Sequence, residues 1–116
     1  MTETIKFSEW QKLDLRTGKI LKAEDIEGAD KLYKLSVDLG KEKGKITVVV
    51  GIKQHYKKDE LKGKGCIIFT NLESRKIKGI ESQGMLLAGV KELENGKEIV
   101  KIIQPDSEIE LGSKVR

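Results

Sequence analysis

The chain has 116 residues, of which 37% are hydrophobic and 36% charged, and a net charge of +4. That length supports one core, since each part of a divided chain would bury too little surface to fold alone. The single cysteine, Cys66, excludes an intrachain disulfide, no apolar run is long enough to cross a bilayer, and the N-terminus Met-Thr-Glu-Thr-Ile-Lys lacks the apolar stretch of a secretory signal, so the expectation is a cytoplasmic protein with no membrane association.

The aromatic residues are only Phe7, Trp10, Tyr33, Tyr56 and Phe69, which makes the core aliphatic. Phe7 and Trp10, three apart with Ser8 as a cap, predict one helical turn laid as a plug across the end of a barrel. Residues 13–23 read as a long strand bent at Gly18. Residues 24–32 read as a turn-rich connection. From Tyr33 to Leu39 apolar Tyr33, Leu35, Val37 and Leu39 alternate with Lys34, Ser36 and Asp38, which gives a strand with one buried face and one wet face. A Gly- and Lys-rich hairpin loop leads to the β-branched run Ile46-Thr47-Val48-Val49-Val50, an antiparallel partner for that strand.

Residues 52–61, anchored by Ile52, Tyr56 and Leu61, predict a helical linker. A turn at Gly63 precedes a fourth strand at 65–70, residues 71–83 form a long connection, and residues 84–90 form a fifth strand. Five short strands with a helical linker after the third predict an all-β, five-stranded Greek-key barrel of the oligonucleotide-binding (OB) type. Its 1–2 and 4–5 loops, here 24–32 and 71–83, would flank a ligand face. The barrel spans about residues 13–90 of a single domain, 1–116. The extension 91–116 carries a further apolar run, Ile99-Val100-Lys101-Ile102-Ile103, more than such a barrel needs. It would extend the sheet or bury itself against a second copy of the chain.

Charge is unevenly spread. Between Lys31 and Val90 there are thirteen basic and six acidic residues, whereas both flanking segments are net acidic. The sharpest basic cluster, Arg75, Lys76 and Lys78, sits in the long connection beside Gly79. It reads either as a solvated turn or as heads converging on phosphates. Immediately downstream, Ser82-Gln83-Gly84-Met85 offers a hydroxyl, an amide and a polarizable thioether beside a glycine. These groups suit a ribose or base, although Met85 equally begins a core strand. Asn71 either closes the fourth strand or contacts ligand. Lys31 and Lys53 are outer phosphate candidates, with Lys34 beside them.

There is no Gly-rich phosphate loop, zinc-type cysteine pair or nucleophile elbow, and His55 is the single histidine, flanked by Gln54 and Tyr56. No catalytic residue, cofactor or metal is therefore expected.

The strings Leu13-Asp14-Leu15-Arg16-Thr17-Gly18-Lys19-Ile20, Ala29-Asp30-Lys31-Leu32, Asn71-Leu72 with Arg75-Lys76-Ile77 and Gly79, Glu81-Ser82-Gln83-Gly84-Met85-Leu86-Leu87-Ala88, and Pro105-Asp106 with Gly112-Ser113-Lys114-Val115 carry a resemblance over nearly the whole chain. They resemble the tRNA-binding domain found at the C-terminus of many methionyl-tRNA synthetases and as free-standing tRNA-binding proteins. The resemblance implies an OB-fold homodimer, joined partly through its C-terminal extension, that binds the tRNA body by shape and backbone. It carries the contact role to Lys31, Asn71, Arg75, Ser82 and Met85. Charge and position add Lys53, Lys76 and Lys78, and the Ser-Gln-Gly-Met string adds Gln83. Without a catalytic domain or ATP motifs, such a chain would serve as the separate β subunit of a methionyl-tRNA synthetase, a partner of its catalytic subunit, or as an autonomous tRNA binder. The alternative is a related export-type chaperone of the same fold, which binds unfolded peptides and lacks the Ser-Gln-Gly-Met string.

Overall fold

Alternation in the second strand is the clearest local signal, and it is obeyed in a computed structural model that describes residues 2–116. Strand β2, Ala29–Asp38, buries Tyr33, Leu35 and Val37 and turns Lys34, Ser36 and Asp38 toward the outside. It is flanked by β1, Leu15–Ile26, and β3, Lys45–Val50, both antiparallel to it. Strand β4, Gly65–Phe69, pairs with the first half of β1 and, at its end, with β7, Met85–Leu86. The path is β3-β2-β1-β4-β7. Bonds from Gln83 and Ser82 onto Thr47 and Val49 of β3 close it into the expected five-stranded barrel. Its interior is aliphatic: Ile20, Leu35, Val37, Leu39, Val48, Leu61, Cys66 and Ile68 are almost wholly shielded from water. Burial pushes the Cys66 thiol up to about 12, leaving it inert at neutral pH. The linker after β3 holds a one-turn helix, Lys58–Leu61, that drives Leu61 into this core.

Several boundaries differ from expectation. The plug is a helical turn at Phe7–Trp10, capped by Lys6 rather than Ser8, with the Lys6 N–H donating to Glu9. Of the two aromatic residues expected to form the plug, Phe7 is 70% exposed and Trp10 is partly buried. Against β2, β1 has register irregularities between Ile20 and Lys22 and between Asp25 and Ile26. The presumed 1–2 loop is mostly strand, leaving only Glu27 and Gly28 as the turn and putting Lys31 on β2. The presumed fifth strand breaks at Leu87. Its first part is β7, and its second, Ala88–Glu92 (strand β8), pairs with β9, Glu98–Ile102, in a separate hairpin. The long 71–83 connection also contains a hairpin, β5, Arg75–Ile77, with β6, Ile80–Ser82.

The last strand, β10 at Lys114–Val115, returns to the start of β1. Thr17 organises this return. Its N–H donates to Ser113 O (2.9 Å), its Oγ1 donates to Glu110 O (3.0 Å) and accepts from the Ser113 N–H (3.0 Å), and its carbonyl accepts from the Gly112 N–H (2.8 Å). Gly40 and Gly112, both at positive φ, lie against each other's segments. A Cβ on either would overlap the carbonyl oxygen preceding the other, Leu111 O or Leu39 O.

Candidate nucleic-acid interface

The β5–β6 hairpin carries the basic cluster. Its turn is Lys78-Gly79, with φ of 52° and 79°, the pattern of a type I′ two-residue turn. For a lysine the left-handed region is disfavoured by roughly 1–2 kcal/mol, so packing must hold it there. That packing is a second apolar cluster outside the barrel. Ile77 and Ile80, one on each side of the turn, pack with Leu32 against Ile26, Ala29 and Val49. The hairpin is therefore a ribbon fixed to the β1–β2 tip and the outer face of β3. Arg75, Lys76 and Lys78 are exposed along it, and among the described residues none has a carboxylate within ion-pairing reach.

The polar residues that follow the hairpin are engaged by the scaffold. Ser82 is 4% exposed, and its Oγ accepts from the Val49 N–H at 3.0 Å. Gln83 makes a two-bond clasp on Thr47: its N–H donates to Thr47 O (2.8 Å) and its Oε1 accepts from the Thr47 N–H (2.8 Å). Gly84 lets this seam close, because a Cβ there would sit 3.0 Å from both Phe69 O and Ile68 Cγ2. Met85 faces Phe69 across the β4–β7 pair and remains 40% exposed. Asn71 Oδ1 accepts from the Asp14 N–H (2.8 Å) and its Nδ2 donates to Lys12 O (2.7 Å), tying the chain entering β1 to the end of β4. Asn71 thus spends its amide on the segment leading into β1 rather than on its own turn.

Lys31 and Lys53 are neighbours, joined by the Lys53 N–H donating to Lys31 O at 3.2 Å. Lys31 is exposed and without an acidic partner among the described residues, whereas Lys53 Nζ lies 3.0 Å from Asp25 Oδ1. Lys58 takes the other oxygen, Asp25 Oδ2, at 2.6 Å. The Lys58 bond, then the Lys53 bond, hold the Asp25 carboxyl below the usual carboxylate range, and Asp25 raises Lys58 in return. Sequence reasoning missed this arrangement, since Asp25, Lys53 and Lys58 are distant in the chain. It missed the Ile77–Ile80 anchor as well, because two isoleucines around Lys-Gly read as a turn.

A second charged group lies at the start of β1. Asp14 bonds Lys43 (2.8 Å) and Arg16 (2.7 Å). The Lys43 bond, aided by Arg16 and against partial burial, lowers its carboxyl to about 2. Two clefts, about 560 and 680 Å³, lie under residues 104–112, and none of the candidate contact residues lines either. The candidate interface thus lies apart from both clefts. Among the described residues no group of three or more His, Cys, Asp or Glu side chains could hold a metal ion, and no helix is long and apolar enough to cross a membrane.

Residues 15–114 match the family described as "Putative tRNA binding domain". The chain belongs to this tRNA-binding domain family. Within it, the chain is 51% identical over 114 residues to a methionine–tRNA ligase of Pyrococcus horikoshii and 45% identical over 112 residues to that of Nanoarchaeum equitans, covering 98% and 97% of this chain. It spans only about 15% of the length of such relatives. Among solved structures, a MetRS-related protein from Pyrococcus horikoshii is 36% identical with a TM-score of 0.84, covering 99% of this chain and all of that one. The chaperone CsaA of Bacillus anthracis is 27% identical with a TM-score of 0.85, over 98% of this chain and all of that one. The matched region is thus a tRNA-binding domain and not a catalytic domain.

Proposed function

We propose that this protein is a non-catalytic, cytoplasmic tRNA binder of OB type that recognises the tRNA body by its shape and phosphate backbone. The observation that supports it most is the anchored β5–β6 ribbon, whose three cations make no ion pair among the described residues, although Glu81 stands opposite Lys76. A cationic ribbon of fixed shape gains affinity from counterion release and register from its rigidity. In this reading Arg75, Lys76 and Lys78, with Lys31 and Lys53 beside them, contact phosphates. Met85, exposed next to Phe69, packs on a base or ribose. Gln83 contributes from the seam, where it is exposed and retains its amide NH₂ for a ligand, while Ser82, buried there on Val49, and Asn71, at the end of β4, hold the backbone around the contact.

The chain then acts in trans, as the separate β subunit of a methionyl-tRNA synthetase or a free factor, raising the local tRNA concentration for a catalytic partner. It works as a homodimer, and residues 1–116 form one domain whose extension, about 91–116, lies in the dimer interface. Exposed apolar residues on one face of and beside the β8–β9 hairpin, Leu93, Ile99 and Ile103, support that placement.

The same apolar residues, together with the likeness to CsaA, favour one second reading: a chaperone surface for unfolded peptides. Titrations of labelled tRNA and of an unfolded peptide separate the two. The tRNA reading expects affinity that falls steeply with salt, and Arg75→Ala should cost about 1 kcal/mol or more and lower the salt slope by about one. Peptide binding that ignores salt, with no affinity for tRNA, overturns it.

A further inference from the structure

The Asp25 carboxylate lies between two ammonium groups that come from a separate part of the chain. Lys53 Nζ approaches one carboxylate oxygen at 3.0 Å and Lys58 Nζ the other at 2.6 Å. A carboxylate offers two anionic oxygens to the two lysines, as the two non-bridging oxygens of a phosphodiester would. The fork is also next to the basic ribbon. Lys53 is bonded through its backbone to Lys31 of β2, and the following residue, Leu32, packs in the same apolar cluster as Ile77 and Ile80.

We propose that Lys53 and Lys58 form a second phosphate subsite of the nucleic-acid face, filled in the free protein by the Asp25 carboxylate, which a backbone phosphate replaces. Asp25 and both lysines are substantially exposed, and ion pairs in that setting are held weakly enough to exchange. Asp25 thereby sets the affinity. A strand lacking a phosphate at this spacing from the ribbon gains nothing to offset release of the carboxylate, so the fork selects for backbone shape without reading a base. Lys58, which charge alone marks as diffuse surface field, becomes a specific contact.

This inference rests on the tRNA-binding reading, and three variants separate its failure from failure of that reading. Binding of bulk tRNA is measured against salt for the wild type, Asp25→Asn, Glu27→Gln and Lys58→Gln. Glu27 lies in the β1–β2 turn beyond the fork and supplies the same charge change, with no ion pair among the described residues. Asp25→Asn should tighten binding about fivefold more than Glu27→Gln, and Lys58→Gln should weaken it with a salt slope lower by about one. Equal effects of Asp25→Asn and Glu27→Gln, weaker binding in Asp25→Asn, or no effect of Lys58→Gln overturns the subsite. Absence of wild-type tRNA binding overturns the underlying reading instead. In that case titration with inorganic pyrophosphate, followed by NMR of the lysine side chains, still decides the fork. Selective shifts at Lys53 and Lys58, larger in Asp25→Asn, support it, and uniform shifts across the surface lysines overturn it.

Discussion

Ser82 shows how a residue placed in a binding motif can be bound first to its own scaffold. Its hydroxyl satisfies the Val49 N–H at a buried position, so Ser82→Ala removes the acceptor and leaves a shielded donor unpaired. The expected cost is about 1–3 kcal/mol, read as a lower urea midpoint. A loss of tRNA affinity in this variant therefore has meaning only beside its stability. The same holds for Asn71 and Gln83, whose amides also bond the backbone. Their sequence spacing signalled polar chemistry near the ligand face, but one side chain serves backbone or ligand with the same atoms, and spacing does not tell which. Arg75 and Lys76 were easier to read, since a cation on a short exposed strand has few internal partners. Asp14 supplies a residue-scale dependence on pH. Its folded carboxyl lies at about 2, below the ordinary 3.8, so its contribution is full above about pH 4 and drains away as pH falls toward 2. Urea midpoints measured from pH 5 down to 2.5 should show this loss in the wild type and lack that component in Asp14→Asn.

Among the elements, β10 has two residues, yet the chain reaching it makes four bonds with Thr17. Thr17→Val keeps the side-chain shape and removes the two Oγ1 bonds. It should cost about 1–3 kcal/mol, with hydrogen exchange rising first in residues 110–115. A two-residue strand has no period, which is why β10 was invisible in the sequence while β2, with four alternations, was plain. The β1–β2 turn was misjudged for a related reason. Glu27-Gly28-Ala29-Asp30 has turn composition, but Ala29 is buried in the outer cluster with Ile26, and tertiary packing extends the strands through it. Phe7 failed in the opposite sense: aromatic spacing suggested burial, and the short helix instead leaves it in water. The β5–β6 ribbon lay within a stretch read as loop because three-residue strands around Lys-Gly offer almost no alternation.

For the whole molecule, the sharpest basic cluster and the main group of exposed aliphatic side chains lie on different elements. Arg75, Lys76 and Lys78 sit on the β5–β6 ribbon, with Glu81 opposite Lys76 and acidic Glu24, Asp25, Glu27 and Asp30 around the neighbouring β1–β2 tip, while exposed Leu93, Ile99 and Ile103 lie on and beside β8–β9, interspersed with Lys91, Lys97 and Lys101. Such a division lets one surface hold an anion while another meets a second copy. Sedimentation at micromolar concentration should give a dimer for the wild type. Ile99→Asp, which puts a charge on the exposed hairpin without touching the barrel interior, should shift it toward monomer with little change in circular dichroism. A wild-type monomer under those conditions removes the dimer proposal.

The mutual contact of Gly40 and Gly112, with the Thr17 bonds beside it, joins residues more than seventy positions apart. Contacts of that separation form late, because the intervening chain must first lose its freedom. During synthesis the edge of β1 at Leu15 and Arg16 that receives β10 stays open until Lys114 and Val115 have emerged. Over that interval the nascent chain carries an unpaired strand edge, and it is there, rather than in the finished fold, that it is most exposed to mispairing.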